Sequence, residues 1–564
     1  MILFALSLWA RAESKPSPLI EAIQAEKMRG LTLKLPEQES PYFIEYRVRD
    51  INSTTVYASF GSLEAVRTKH YRPYTVEVRI GSYEFDNGNF DGSMGSNNGV
   101  FRGYLPIEDH KEAIQRELWF GTDTAYKGAT EEYSGKQAAR EFLDIKTNVD
   151  LLTIENVHDF DTKSLPKIDI DKLKKIAKEL SSLEGDISKI EELNVAIVQK
   201  NITQHVVSTE DTLIQSNTSM YALHVEAIAL NKEGSKIRDT RSWVGKDISS
   251  LPPMEEIRRK SLEMINFVIE QKSAAIEEDY LGPVIFSPEA SVELFRQLLP
   301  KEISANPPLH EPPDFLGEVP MVIPDSRVGR RLLPEGWDVV DDPVSNPSLD
   351  GSYIYDDQGV AAQKVHVIEN GVVKNLLMTR IPREGFEKST GHARILRSKR
   401  AVPMHSNVFI TPDRNRSMKQ LQRRAFRFAQ QADLDYILHV RHITPLSLNE
   451  DFEIAFSGDG PLAGLTRPLE VVRIYKDGHE EVIRGMQFVG VTRNTLKDIV
   501  LAGPQGNTIT VLDGSYGGDM YSISPTSGIL STWSVPAVLV AEVELKGNTG
   551  KEPHVLSPPT MTKE

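Results

Sequence analysis

A chain of 564 residues exceeds the roughly 250 to 300 at which one hydrophobic core stops growing, so more than one domain is expected. Its hydrophobic share of 40% and charged share of 26% fit globular usage, and no apolar run reaches the roughly 18 residues of a membrane span. The net charge of -15 argues against a nucleic-acid partner, and the absence of cysteine excludes disulfides, thiolate nucleophiles, iron–sulfur clusters and Cys-ligated zinc.

Residues 1–10 are largely apolar and lead into Arg11-Ala12, so that Ala10-Arg11-Ala12 reads as an Ala-x-Ala cleavage site. Residues 1–12 are therefore expected to be a signal peptide and the mature protein to be exported, to the periplasm. The missing basic n-region leaves an apolar stub on a cytoplasmic protein as the alternative. An N-terminal α/β domain is expected over 13–165, with a helix at 17–27 and strands at 42–50, 54–60 and 75–80, where apolar or β-branched residues alternate. The turn formers of residues 86–100 read as a mobile loop, with a phosphate or calcium loop as the alternative; the calcium template fails because Gly88 stands where a side-chain ligand is needed.

A middle segment over 166–278 opens with an exposed helical stretch at 168–193 after Pro166. Strands follow at 205–207, 212–215 and 222–230, then a helix at 254–277 behind Pro252-Pro253. The last domain is expected over 279–547. Its proline-rich stretch 306–324 must be extended, and Asn370-Gly371 and Asp477-Gly478 mark two tight hairpins. Ser417 and Gln420 form a capping box for a helix to about 431, and the polar tail 548–564 reads as disordered.

No G-x-S-x-G elbow, Walker loop or dinucleotide fingerprint is present. His310-Glu311 is the one His-Glu dipeptide, and Pro312 and Pro313 forbid a helical zinc motif there. His439 and His442 lie in a strand pattern, where residues three apart face opposite ways and cannot easily share a metal. His392 and His405 flank a basic run that includes Arg394 and Arg397, suited to the carboxylate end of a peptide, to an acidic partner or to a solvated face. Asp341-Asp342 and Asp356-Asp357 read as turn caps.

Several landmarks then fall in one order. They are the strand–turn–helix from Gly282 to Leu299; Asp341-Asp342-Pro343 with Gly351-Ser352; Tyr355-Asp356-Asp357-Gln358-Gly359 leading into the hairpin from His366 to Val372; and Arg473-Ile474-Tyr475-Lys476-Asp477-Gly478 with Leu496-Lys497-Asp498-Ile499. Over residues 279–503 this set resembles the TldD/PmbA family. The resemblance implies an α+β or α/β protein, an N-terminal α/β domain followed by a β-rich, mainly antiparallel C-terminal domain over 279–547, and paired subunits that process peptides, one carrying zinc on an H-E-x-x-x-H helix. Here that helix is 289–299, and the His, Glu and second His positions hold Arg296, Gln297 and Lys301. Arginine is not a metal ligand and glutamine is no general base. The cysteine of the metallated member is missing too. The resemblance thus implies a chain closest to the metal-free PmbA (TldE)-like members, with no catalytic residue and no cofactor of its own. Zinc is expected only in a TldD-like partner, and the ligand is an unfolded or small peptide. A stand-alone exported peptide binder is the alternative, and a peptidase with a different active site a remote one.

Overall fold

The computed structural model describes residues 17–90, 98–140, 149–183, 189–232, 234–276, 279–305, 327–383, 385–395, 401–445, 465–514 and 528–547. The signal-peptide stretch, the proline-rich segment, His310-Glu311, Arg397 and the tail lie outside these residues.

The N-terminal half is built on seven strands: β1 (Pro41–Ser59), β2 (Ser62–Ile80), β3 (Val100–Leu105), β4 (His158–Phe160), β5 (Glu192–Ser208), β6 (Leu213–Leu230) and β7 (Lys236–Gly245). They form one sheet in the order β3-β2-β1-β5-β6-β4 with β7 also on β6. Every pairing is antiparallel except β4 with β6. This half is therefore α+β, and the boundary expected at 165 runs through a single sheet, because β1 pairs β5 along its length. The strands expected at 42–50 and 54–60 are one strand: Asp50-Ile51-Asn52-Ser53 stays extended, all four paired with β5 and the last three also with β2, and the chain reverses instead at Phe60-Gly61, both with positive φ.

Four helices cover one face of this sheet: α1 (Pro18–Gly30), α2 (Lys111–Ala139), α3 (Ile170–Ser181) and α4 (Met254–Gln271). The even positions of β1 show the arrangement. Ile44, Tyr46 and Val48 meet α1 and α2, whereas Val56 and Ala58 meet α3 and α4. Helix α3 is not the exposed segment expected, since Leu173, Ile176, Ala177 and Leu180 are buried against the sheet, and it ends at Ser181, well before 193. Part of the expected mobile loop is also fixed. Asp86 takes hydrogen bonds from Arg79 and Tyr42, and the Asn87 side chain accepts from the Ile80 N–H.

The opposite sheet face carries Val198, Met220, Ala222 and Val244, which pack on Leu512 and Leu530 of the C-terminal half. Polar bolts join the halves as well. Arg47 donates to the Asp357 carbonyl, Arg49 to the Asp357 carboxylate and the Ile395 carbonyl, and Arg380 to the Leu152 carbonyl and Glu210.

The C-terminal half contains a six-stranded and an eight-stranded sheet, mainly antiparallel, as the family resemblance implied. Helix α5 (Pro288–Leu298) is embedded between them, sharing one core with Val339, Val367 and Val408 of the first sheet and Val284, Val440 and Val538 of the second. A short helix, α6 (Pro300–Ile303), follows it, and α7 (Met418–Gln431) covers the outer face of the larger sheet. The Ser417–Gln420 capping box of α7 is present. At the first expected hairpin Asn370 and Gly371 both take positive φ, and a Cβ on Gly371 would lie 2.3 Å from two carbonyl oxygens, so glycine is required there.

Candidate functional site

A cleft of about 890 Å³ lies between the two halves. One wall is β7 and α4; the other is the start of α5, the strands Tyr436–Ile443 and Pro468–Tyr475, and residues 507–512. Ser287 caps α5 by accepting from the Ala290 N–H and ties the cap to the next strand by donating to the Arg441 carbonyl at 2.8 Å. This fixes the helix, and with it Glu289, Glu293 and Arg296, at the cleft wall.

Arg296 is only 2% exposed. Its Nε donates to Asp513 Oδ1 at 2.5 Å, Nη1 to Glu293 Oε1 at 2.6 Å and Nη2 to the Leu512 carbonyl at 2.7 Å. Asp513 also receives His405 Nε2 at 2.7 Å and the Ser531 hydroxyl. Burial by itself would raise the Asp513 pKa, but the Arg296 guanidinium and His405 outweigh it and hold the carboxyl far below the usual range. Gln297, one residue on, is buried and bound through its amide to Glu293, Thr466 and the Thr444 carbonyl. Lys301 is separated from them: α5 ends at Leu298, Pro300 opens α6, and the lysine is exposed there, away from the cleft lining.

The other wall adds a second charged group. Arg241 of β7 donates to Glu470, to Asp239 Oδ1 at 3.0 Å and to His442 Nδ1 at 2.7 Å. His439 and His442 both line the cleft, contrary to the opposite-face expectation. The reason is a β-bulge: pairing passes from Val440–Val471 to His442–Glu470, leaving Arg441 as an extra residue and returning His442 to the side of His439. Burial, reinforced by Arg441, pushes the His439 pKa down to about 4; burial, reinforced by Arg241, pushes His442 to about 3. The His439 Nε2, the Thr240 hydroxyl and Asp239 Oδ2 are buried without hydrogen-bond partners.

The basic-run residues are elsewhere. His392 is fully buried, with Nε2 at 3.0 Å from Asp341, which also accepts from the Ser406 N–H. His405 is buried on Asp513, and Arg394 stacks 3.4 Å from the centre of the Tyr353 ring. None of the three lines the cleft. In both His–Asp–Ser clusters the aspartate, not the serine, receives the histidine, so neither activates a nucleophile. Asp342 and Asp356 do cap turns, accepting from the N–H groups of Val344 and Ser345 and of Gln358 and Val360.

Residues 279–453 match the family model described as the PmbA/TldA metallopeptidase C-terminal domain. This part of the chain carries a PmbA/TldD-type C-terminal domain. It is 23% identical over 240 residues to a metalloprotease of Methanothermobacter thermautotrophicus, covering 42% of this chain and 49% of that protein. With a metalloprotease of Methanocaldococcus jannaschii it shares 25% over 297 residues, 51% of this chain and 60% of the relative. The matches thus span about half to three fifths of the curated relatives. Among solved structures, a candidate modulator of DNA gyrase from Thermotoga maritima superposes with a TM-score of 0.58 at 14% identity, over 94% of this chain and 99% of that one. TldE from Thermococcus kodakarensis gives 0.55 at 14% identity, over 93% and 100%. These two establish the fold across both halves.

The family description implies a metal, and the residues at the expected positions do not fit one. A guanidinium offers no lone pair, and this one already satisfies two carboxylates and a carbonyl. The Gln297 amide is likewise engaged on both its atoms. Among the described residues no group of three His, Asp or Glu side chains could hold an ion.

Proposed function

We propose that this protein is a metal-free, peptide-binding member of the TldD/PmbA family, and that it serves as the non-catalytic subunit of a peptide-processing complex whose zinc is carried by a TldD-like homologue. The observation that supports the proposal is the buried Arg296 guanidinium, saturated by Asp513 and Glu293 at the cleft wall, at the position that the family resemblance aligns with the first zinc ligand. The metalloprotease names of the relatives support a peptide as the ligand. Export to the periplasm, supported by the apolar residues 1–10 and Ala10-Arg11-Ala12, would place that complex outside the cytoplasm.

The test is cleavage of an unstructured peptide by this chain alone, by a zinc-bearing homologue from the same genome, and by the two together. The reading expects this chain alone to be inactive and the mixture to cleave faster than the homologue alone, with activity lost on chelation. Chelator-sensitive cleavage by the purified single chain would overturn it.

A further inference from the structure

The N-terminal sheet ends on an open edge. Strand β3 has β2 on one side and, among the described residues, no strand on the other. The Val78 N–H donates to the Gly99 carbonyl at 2.8 Å. The antiparallel alternation that follows turns the backbone groups of Phe101, Gly103 and Leu105 toward β2, and those of Val100, Arg102 and Tyr104 away from it. The strand pairs without a bulge and contains no proline and no inward-pointing charge, the common devices that blunt an exposed edge. Its one charge, Arg102, lies with Tyr104 on the outer face, opposite α2.

Large apolar groups flank this edge on both faces. Tyr104 is 69% exposed on the outer face. On the helix side Phe120 of α2 is 53% exposed and meets Phe101 edge-on at 5.6 Å, and its neighbour Trp119 is half-exposed. Ile107, just past the strand, is half-exposed as well. At about 150–250 Å² per aromatic side chain, roughly half of it uncovered, the three aromatics present on the order of 300 Å². That matches the largest apolar patch of an ordinary monomer, and such patches are often interaction sites.

We infer that a second copy of this chain adds to the edge, β3 against β3, antiparallel about a two-fold axis at Gly103. The strand's own side chains select that partner. In this register Arg102 of each copy stands opposite Tyr104 of the other, and each pair exchanges both backbone hydrogen bonds while setting a guanidinium beside an aromatic ring. An axis at Arg102 would instead set two guanidinium groups face to face. On the helix side Phe101 comes opposite Leu105, and Phe120 faces the second copy. Each copy uses its one β3 edge, so the assembly closes as a dimer and does not extend into a fibre. Two patches of about 300 Å², together with the paired strands, approach the roughly 1,200 Å² at the lower end of specific interfaces. Strand β3 lies at the opposite end of the sheet from β7, so the dimer leaves the cleft open and is independent of the peptide reading.

The experiment is sedimentation velocity of the purified full chain at micromolar concentration, where the wild type is expected at twice the chain mass. Y104K places a lysine opposite Arg102 in both pairs and should weaken the dimer about tenfold or more, with native circular dichroism retained because Tyr104 is exposed. R102E/Y104K returns opposite charges to the same register and should restore the dimer. F120S, on a different element, should weaken it independently. A monomeric wild type would overturn the inference, as would a dimer that Y104K and F120S leave intact. Loss of the dimer in Y104K without recovery in R102E/Y104K would overturn the register on which the choice of partner rests. Association through this edge with a zinc-bearing homologue, but not with a second copy, would overturn the self-pairing.

Discussion

Replacing Arg296 with leucine tests the guanidinium network directly. The substitution keeps an apolar stem in α5 but leaves Asp513, 1% exposed, and Glu293, 5% exposed, without their shared cation. Breaking a buried pair from one side costs about 3–5 kcal/mol, because the remaining charge is desolvated and uncompensated. His405 still reaches Asp513 and Gln297 still reaches Glu293, so the lower end of that range, about 3 kcal/mol, is expected. The assay is urea unfolding followed by tryptophan fluorescence, to which Trp533 contributes from beside the network, its ring 4.9 Å from His405. The R296L/D513N double variant should recover at least about 1 kcal/mol of the summed single losses, since the pair is in contact. A loss under about 1 kcal/mol for R296L, with additive behaviour in the double variant, would refute the network as a structural unit.

Acid should destabilise the protein over a defined window. Burial holds His205, His224 and His439 at about 4 and His442 at about 3, below the ordinary 6.5. A histidine depressed in the fold contributes stability that is complete above 6.5 and is lost as pH falls toward 3–4, at most about 1.4 kcal/mol per pH unit for each group. Urea midpoints at pH 7 and pH 5 check this, and an unchanged midpoint would contradict it. Substituting Gly121 with valine should destabilise by about 1–3 kcal/mol in thermal melts, because even a Cβ would sit 2.4 Å from the Tyr74 hydroxyl. Gly371 to alanine should do at least as much, combining positive φ with two carbonyls at 2.3 Å.

Local signals carried much of the fold. Asn370-Gly371, the Ser417–Gln420 box and the Ser287-Pro288 start of α5 each act over a few residues, so each could be read directly from the chain. Helix α2 was not legible despite running 29 residues, because Gly121, Gly128 and Gly135 dilute its apolar face. Those glycines allow close approach: Gly121 packs on Tyr74 and Phe101, and Gly135 on Phe90. The unbroken length of β1 was hidden for a different reason. Asp50-Ile51-Asn52-Ser53 has the composition of a turn, and pairing of all four to β5 and of the last three to β2 keeps it extended.

At the site, the positions of Arg296 and Gln297 on the helix were readable, but their partners were not. Asp513 and Leu512 join Arg296 from more than two hundred residues away, as do His442 and Glu470 with Arg241. The bulge at Arg441 defeated the alternation rule for His439 and His442, since one inserted residue reverses every later side chain in a strand. Residue type suggested that His392, Arg394 and His405 were surface contacts; burial and pairing give them interior roles.

The central claim is that the family helix in this chain holds a guanidinium where its relatives are expected to hold zinc. The most direct measurement is the metal content of the purified full chain after equilibration with zinc and removal of free metal. The account predicts well below one zinc per chain and no change in unfolding midpoint on adding chelator. One full equivalent of zinc, removable by chelator with loss of stability, would contradict it.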